Sequence, residues 1–417
     1  MDKLIVNGGA KLFGEVQISG AKNAVLPIMT ATLIVPGNYK INNVPDLRDT
    51  RTMIKLLRII GAHVEYSNNI LLIDTKKCNN PHAPYDLVKT MRASFYVLGP
   101  LLSRFHESKV SLPGGCAWGP RPVDFHIKAL REMGVDVRLD KGDIIAKGQP
   151  IGNRIHFTKK SVGATGNLLM AASRAKGITK ILNAAMEPEI VSLCHFLQKL
   201  GADIEGIGTE KLIVSPIENQ NNSFEFNIIP DRIEAGTFML AVAATGGEVN
   251  LKNVCIEHLE TVIDHLNRIN IVTKLSDNEI SVISDGQYNA INMETLEFPG
   301  FPTDLQAQWM AVMMKARGDC TIKENIYYDR FTHISELSRM GADIKLKNNI
   351  ANIKGVDEIY SAPVMCTDIR ASAGLVIAAL CSTGETEISR IYHIDRGYDS
   401  IEKKLSSIGA NILRIKS

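Results

Sequence analysis

The stretch FLQKLGADIEG, residues 196–206, runs as an amphipathic segment, stops at a glycine and resumes as an alternating run. The physical sense is a helix ended by a left-handed glycine and followed by a strand. The same phrase recurs along the chain. It is found as LLRIIGAHVEY (56–66), ALREMGVDVRL (129–139), LSRMGADIKL (337–346) and LSSIGANILRI (405–415). HLNRINIVTKL (265–275) fills the one gap, with Ile-Asn where the others have Gly. Six copies between Gly61 and Gly409 give a mean period of roughly 70 residues, the signature of an internal repeat.

A second phrase keeps the same period: a small-residue helix, a glycine stop and a β-branched strand. It reads AVLPIMTATLIVPGNYKI (24–41), NLLMAASRAKGITKIL (167–182), TFMLAVAATGGEVNL (237–251), QWMAVMMKARGDCTI (308–322) and GLVIAALCSTGETEI (374–388). The second copy is MRASFYVLGPLLSRFHESKVSL (91–112), with Ser108 near the glycine position. Each repeat therefore holds two helices and three or four strands, and the fold class is α/β. Six repeats make either one solenoid or two three-repeat domains. A 417-residue chain is long for one core, which favours two domains. The polar, Pro-containing stretch ENQNNSFEFNIIPDR (218–232) is the boundary candidate.

Composition narrows the function. Charged residues make up 22% of the chain and the formal net charge is +2, too balanced for a nucleic-acid or membrane-surface partner. Any anion recognition must be local. Seven scattered cysteines, without a CxxC or a Cys/His cluster, speak against a disulfide framework or a zinc site. The start MDKLIVNGGAKLFGEV lacks the pattern of a signal peptide, and no window reaches 18 apolar residues. The expectation is a soluble, unprocessed, cytoplasmic protein. No Walker loop, GxGxxG after a strand or GxSxG elbow occurs.

In a repeat protein, function sits where copies differ. Helix N-termini attract anions, so the starts of the small-residue helices are the places to compare. They read SGAKNAV (19–25, with Lys22 and Asn23), KTMRAS (89–94, Arg92) and KKSVGATGN (159–167, Lys159, Ser161, Val162 and Gly163). The other three are PDRIEAGT (230–237), FPTDLQAQ (301–308, Asp304) and CTDIRAS (366–372, Asp368 and Arg370). Each taken alone reads first as a cap or a surface charge. Recurrence at one structural position is what raises the functional reading.

LPGGCAWGPRPVDFHI (112–127) places Cys116 among glycines and beside Arg121, a setting that favours the thiolate. Pro122 suits the first turn of the helix that follows. His126 lies on that patterned helix and reads as structural. His393 precedes Asp395 and Arg396 in YHIDRGYDS (392–400), and Arg330 in YYDRFTH (327–333) holds a place comparable to Arg396. Arg396 is thus open to a structural as well as a functional reading.

Together, GGCAWGPRPVD, SVGATGN, PDRIEAGT, FPTDLQAQ, TDIRAS and HIDRGY carry a resemblance over effectively the whole chain. The sequence resembles the UDP-N-acetylglucosamine enolpyruvyl transferases, or 1-carboxyvinyltransferases, of the EPSP synthase superfamily. The resemblance implies two inside-out α/β domains, each of three βαβαββ repeats, with a cleft between them. The expected domains are residues 22–229, and 1–21 together with 230–417. The implied reaction moves the enolpyruvyl group of phosphoenolpyruvate to the 3-hydroxyl of the sugar nucleotide and releases phosphate. It passes through a tetrahedral ketal and begins peptidoglycan precursor synthesis.

By resemblance, Cys116 is a loop acid that can form an adduct with phosphoenolpyruvate and is alkylated by the epoxide fosfomycin. Asp304 is the carboxylate near the 3-hydroxyl, a candidate general base. Lys22, Arg121 and Arg396 hold phosphoenolpyruvate, and Arg92 and Arg370 line the same cationic site. Asn23 contacts the sugar. Arg121, Pro122, Val123, Asp124 and Phe125 match a uridine-binding segment, and Lys159, Ser161, Val162 and Gly163 match contacts to uridine and diphosphate. Ile326 is a further substrate contact, and Asp368 a carboxylate linked to closure of the Cys116 loop. No metal, organic cofactor or nucleic acid is implied. Trp118 departs from the family's smaller aliphatic residue and puts the loop's kinetics in question. Two rivals remain at this stage: the shikimate 3-phosphate enzyme, which lacks the Cys loop and the RPVD segment, and a catalytically silent sugar-nucleotide-binding paralogue.

Overall fold

The computed structural model describes residues 2–112 and 123–416. Cys116, Trp118, Arg121 and Pro122 lie outside the described residues. The chain divides into two compact units: Gly20–Ile229, and residues 2–19 with 230–416. Each has its own apolar core. Tyr39, Phe196 and Leu57 lie in the first, and Phe238, Phe301 and Trp309 in the second.

Among the described residues there are six four-stranded sheets, three in each unit. All six share one plan. Two parallel strands go with a buried inner helix, and the one that follows the helix pairs with one of two further antiparallel strands. In repeat 3, Arg154–His156 lies parallel to Thr179–Leu182, which pairs with Lys211–Ser215, itself paired with Asp203–Glu205.

The inner helices are buried on all sides because they carry almost nothing but small and aliphatic residues. Lys22–Ala31, Leu98–Phe105 and Val162–Ala172 serve one unit. Arg232–Thr245, Gln306–Met313 and Ile369–Cys381 serve the other. Glycine permits the close approach: a Cβ at Gly374 would stand 2.7 Å from the Ala307 carbonyl oxygen. The outer helices bury one face only and end at left-handed residues in every repeat. These are Gly61, Gly134, Gly201, Asn270, Gly341 and Gly409, so Asn270 takes the place that Ile-Asn marked.

Two details differ from the sequence reading. The turn after the second inner helix is made by His106 (φ 56°), not Ser108, which lies inside the strand Glu107–Ser111. In this repeat the positive φ falls at His106, the residue directly before the strand. In repeat 1, Gly37 is not left-handed. It is needed because a Cβ there would collide with the Asn222 carbonyl, whose oxygen accepts from Asn38 N.

Strands are also exchanged across the sequence. Ser223–Asn227, within the boundary candidate, is a strand of repeat 1 and lies parallel to Asn38–Asn42. Leu12–Gln17 lies parallel to Gly247–Lys252 in repeat 4. Lys3–Asn7 is the inner strand of the repeat 6 sheet, between Glu385–Ser389 and Asn411–Ile415. Among the described residues, no helix is long and apolar enough to cross a membrane.

Candidate active site

In the unit Gly20–Ile229, three of the expected groups meet around His126. Val123 caps the helix Asp124–Glu132, whose first turn carries Asp124 and Phe125. His126 is buried one residue on. Its Nδ1 lies 3.1 Å from Asn167 Nδ2, and its ring meets Phe95 edge-on at 4.9 Å. A Cβ at Gly163 would lie 3.3 Å from His126 Nε2, so the start of Val162–Ala172 packs directly on the imidazole. Burial pushes the His126 imidazole down to about 3, and the nearby Arg92 guanidinium adds to this. His126 is thus a neutral packing residue, and Arg92 opens the turn Arg92–Val97 with its side chain exposed. Ser161 caps Val162–Ala172 by accepting from Ala164 N at 3.3 Å, and Lys159 is exposed two residues earlier.

Lys22 and Asn23 open a different helix. Lys22 is buried, and its ammonium lies 2.9 Å from Asp49 on the helix Arg48–Ile60. A buried ammonium needs such a partner. Asn23 is half-buried beside it.

In the other unit, Asp304 sits in the short turn Thr303–Leu305 between two guanidiniums. Arg330 Nη1 is 2.8 Å from Oδ1, and Arg370 Nη2 is 2.9 Å from Oδ2. Burial pushes the Asp304 carboxyl up. Arg370 and Arg330 outweigh it and hold the group well below the usual carboxylate range. Asp304 is therefore ionised, as a base must be, but weakly basic in this arrangement.

Arg370 lies over the Tyr398 ring at 5.8 Å. The Tyr398 hydroxyl in turn meets Thr237 Oγ1 at 2.9 Å and Gln308 Nε2 at 3.1 Å. Gln308 Nε2 also donates to the Asp304 carbonyl at 3.0 Å, which fixes the turn that presents the carboxylate.

Asp368 is the N-cap of Ile369–Cys381, accepting from Arg370 N at 2.8 Å and Ala371 N at 3.1 Å. It satisfies helix-end donors that an external anion would otherwise take, as Asp231 does in repeat 4. Arg396 closes the turn Ile391–Arg396, and the next residue, Gly397, packs against Ile369 and Arg370. Asp395 is held by Arg414 at 2.5 Å. Ile326 lies on the loop after Asp319–Lys323.

The sequence reading missed Asp49 and, as a partner of Asp304, Arg330. Both had a signal. Asn43, Glu324 and Arg390 each directly follow the strand after an inner helix, and the sixth residue onward from each is Asp49, Arg330 and Arg396. One repeat position thus supplies all three charges. The six described cysteines are buried or half-buried. Burial pushes the Cys78, Cys255 and Cys381 thiols up to about 11 and those of Cys194, Cys320 and Cys366 to about 12. Among the described residues, no group of three or more His, Cys, Asp or Glu is placed to hold a metal ion.

Residues 6–405 match the family model described as EPSP synthase (3-phosphoshikimate 1-carboxyvinyltransferase). A protein of Geobacter metallireducens named UDP-N-acetylglucosamine 1-carboxyvinyltransferase is 50% identical over 417 residues, covering all of both chains. A protein of the same name from Thermodesulfovibrio yellowstonii is also 50% identical over the full length of both. Among solved structures, the enolpyruvyl transferase NikO from Streptomyces tendae superposes with a TM-score of 0.91 at 23% identity, covering 100% of this chain and 99% of that one. An EPSP synthase from Acinetobacter baumannii gives 0.77 at 17% identity, with both chains fully covered. These two likenesses speak to the fold.

Proposed function

Because the chain belongs to the EPSP synthase family of carboxyvinyltransferases, we propose that it moves the enolpyruvyl group of phosphoenolpyruvate to the 3-hydroxyl of UDP-N-acetylglucosamine. The observation that carries this reading is the half-identity, end to end, with relatives named for that reaction. On the chemistry, the sugar oxygen bonds to C2 of phosphoenolpyruvate while a proton reaches its C3 methylene. The tetrahedral ketal then loses phosphate from C2 and a proton from C3, which restores the double bond. The reaction opens peptidoglycan precursor synthesis in the cytoplasm.

In this proposal Asp304 takes the 3-hydroxyl proton. Its two arginines explain how a weak base becomes competent. An incoming phosphate or carboxylate competes for Arg370, which frees Oδ2 of Asp304 and raises its basicity as the substrate arrives, while Arg330 on Oδ1 keeps the carboxylate in place. Lys22, Arg121 and Arg396 hold the phosphoenolpyruvate anion, Arg92 and Arg370 are further cations for it, and Cys116 supplies the acid. Asn23 contacts the sugar. Val123, Asp124 and Phe125, with Pro122, contact uridine. Lys159, Ser161, Val162 and Gly163 contact uridine and diphosphate, and Ile326 adds an apolar contact. The packing of Gly163 on His126, which directly follows Phe125 in the helix, supports one binding surface for the nucleotide.

The test is phosphate release from phosphoenolpyruvate, with and without UDP-N-acetylglucosamine, for the wild type and Asp304→Ala. Release that requires the sugar nucleotide and falls at least about a hundredfold in the variant supports the reading. Sugar-independent release, or no release, would sink it.

A further inference from the structure

Glu324 departs from its counterparts in the other repeats. In repeats 1, 3 and 4 the residue directly after the strand that follows the inner helix is Asn43, Asn183 or Asn253, each left-handed. Each amide donates to one carbonyl of the neighbouring strand's end: Ile228 at 2.9 Å, Phe157 at 2.8 Å and Ile18 at 2.8 Å. The asparagine is a structural pin. In repeat 5 the pin passes to Asn325, whose amide donates to the Thr295 carbonyl at 3.1 Å. The original position holds Glu324, an acceptor in place of a donor.

The Glu324 side chain is fully buried, and a buried carboxylate needs its lone pairs engaged. Oε1 accepts from Thr295 Oγ1 at 2.8 Å, Ile326 N at 2.8 Å and Tyr327 N at 2.9 Å. Oε2 accepts from Thr303 Oγ1 at 2.9 Å. Thr303 has one hydroxyl proton. With that proton committed to Glu324, its lone pairs face outward, and Arg330 Nη1 donates to them at 3.0 Å. The same Nη1 is 2.8 Å from Asp304 Oδ1.

We propose that Glu324 is a positioning residue for enolpyruvyl transfer, setting the direction of the Thr303 hydroxyl and so holding Arg330 against Asp304. It also ties the loop bearing Ile326 to the turn bearing Asp304, so base and substrate contact keep one register. The proposal rests on the functional reading above. A pin asparagine would leave Thr303 without its acceptor.

Glu324→Gln tests this at nearly constant volume. The glutamine carbonyl must face the two fixed backbone N–H groups of Ile326 and Tyr327, so its NH2 faces Thr303. The hydroxyl then loses its acceptor, and its proton is free to swing toward Arg330, where donor meets donor. We expect kcat to fall about tenfold to a hundredfold, with both KM values moving less than roughly threefold. The acid limb of the kcat–pH profile should move to higher pH, because a loosened Arg330 holds Asp304 down less strongly. Thr303→Val should reproduce the loss, Thr303→Ser should rescue it, and Glu324→Gln with Thr303→Val should cost no more than the worse single variant.

An unchanged kcat in Glu324→Gln, or additive losses in the double variant, overturns the proposal. If Glu324→Gln does not fold, Thr303→Val decides alone, and full activity there overturns it. A wild type that releases no phosphate defeats the functional reading instead. The crystal structure of the variant then judges the positioning by itself: Arg330 still bonded to Thr303 means Glu324 does not place it.

Discussion

Asp304 and His333 are both pushed down, which leaves an ionised carboxylate and a neutral imidazole in one unit. Asp304 is pulled down by two guanidiniums and stays ionised far into acid. His333 is buried behind them, with Nε2 lacking a hydrogen-bond partner. Burial pushes its imidazole down to about 4, Arg330 adds to this, and Asp368 opposes both. The sign for stability follows. Above about pH 6.5 neither folded nor unfolded His333 carries a proton. Between about 6.5 and 4 the unfolded chain takes one and the folded chain does not, so stability falls as pH falls. From pH 7 to 5 this one residue should remove about 2 kcal/mol from the unit formed by residues 2–19 and 230–416. His333→Gln has no such proton to take, so its urea stability should drop by about 2 kcal/mol less than the wild type over that interval. Equal drops would show that His333 is solvated and already protonatable in the folded state.

Elements carry the repeat, and their stops can be tested in opposite directions. Gly177 (φ 89°) and His106 (φ 56°) both turn the chain after an inner helix. A Cβ at Gly177 would touch nothing within 4 Å, so Gly177→Ala costs only backbone strain, about 1 kcal/mol. His106→Gly relieves the same strain and should gain about 0.5–1 kcal/mol, less the entropy of a freer unfolded chain. Chemical denaturation of the two variants should therefore shift to opposite sides of the wild type. Matching shifts would mean that His106 makes a stabilising contact that outweighs its conformation.

These stops were legible in the sequence because helix and strand periods are local, and the six copies reinforced one another. His106 was not, since histidine carries no turn signal and Ser108 is the better turn former. The site was legible in part for the same reason. Asp304 and Arg370 stand at aligned helix starts and could be compared there. Asp49, the partner of Lys22, and Arg330, a partner of Asp304, lie one strand and one turn further along, outside the stretch compared. Glu324 was hidden more deeply. Its role depends on Thr295, Thr303 and Arg330, which only the folded sheet brings together.

At the scale of the whole molecule, the first strand of the chain belongs to the last repeat. Lys3–Asn7 is not an edge. It pairs with Glu385–Ser389 on one side and Asn411–Ile415 on the other, with Leu4 opposite both Ile388 and Arg414. Leu4 and Val6 are fully buried in the core of that unit. Removing residues 1–10 would therefore strip two ladders of backbone hydrogen bonds from the repeat 6 sheet and leave two apolar core positions empty. Among the described residues every other strand is already placed in one of the six sheets, so none is free to replace it. The unit Gly20–Ile229 uses none of these residues, and its core is separate. Hydrogen exchange on the truncated protein should show protection lost at residues 385–389 and 411–415, then across 230–416. Protection at 38–42, 107–111 and 179–182 should stay near that of the full chain. A truncated chain that keeps slow exchange at 411–415 would refute this, since Asn411–Ile415 has no other strand partner in its sheet.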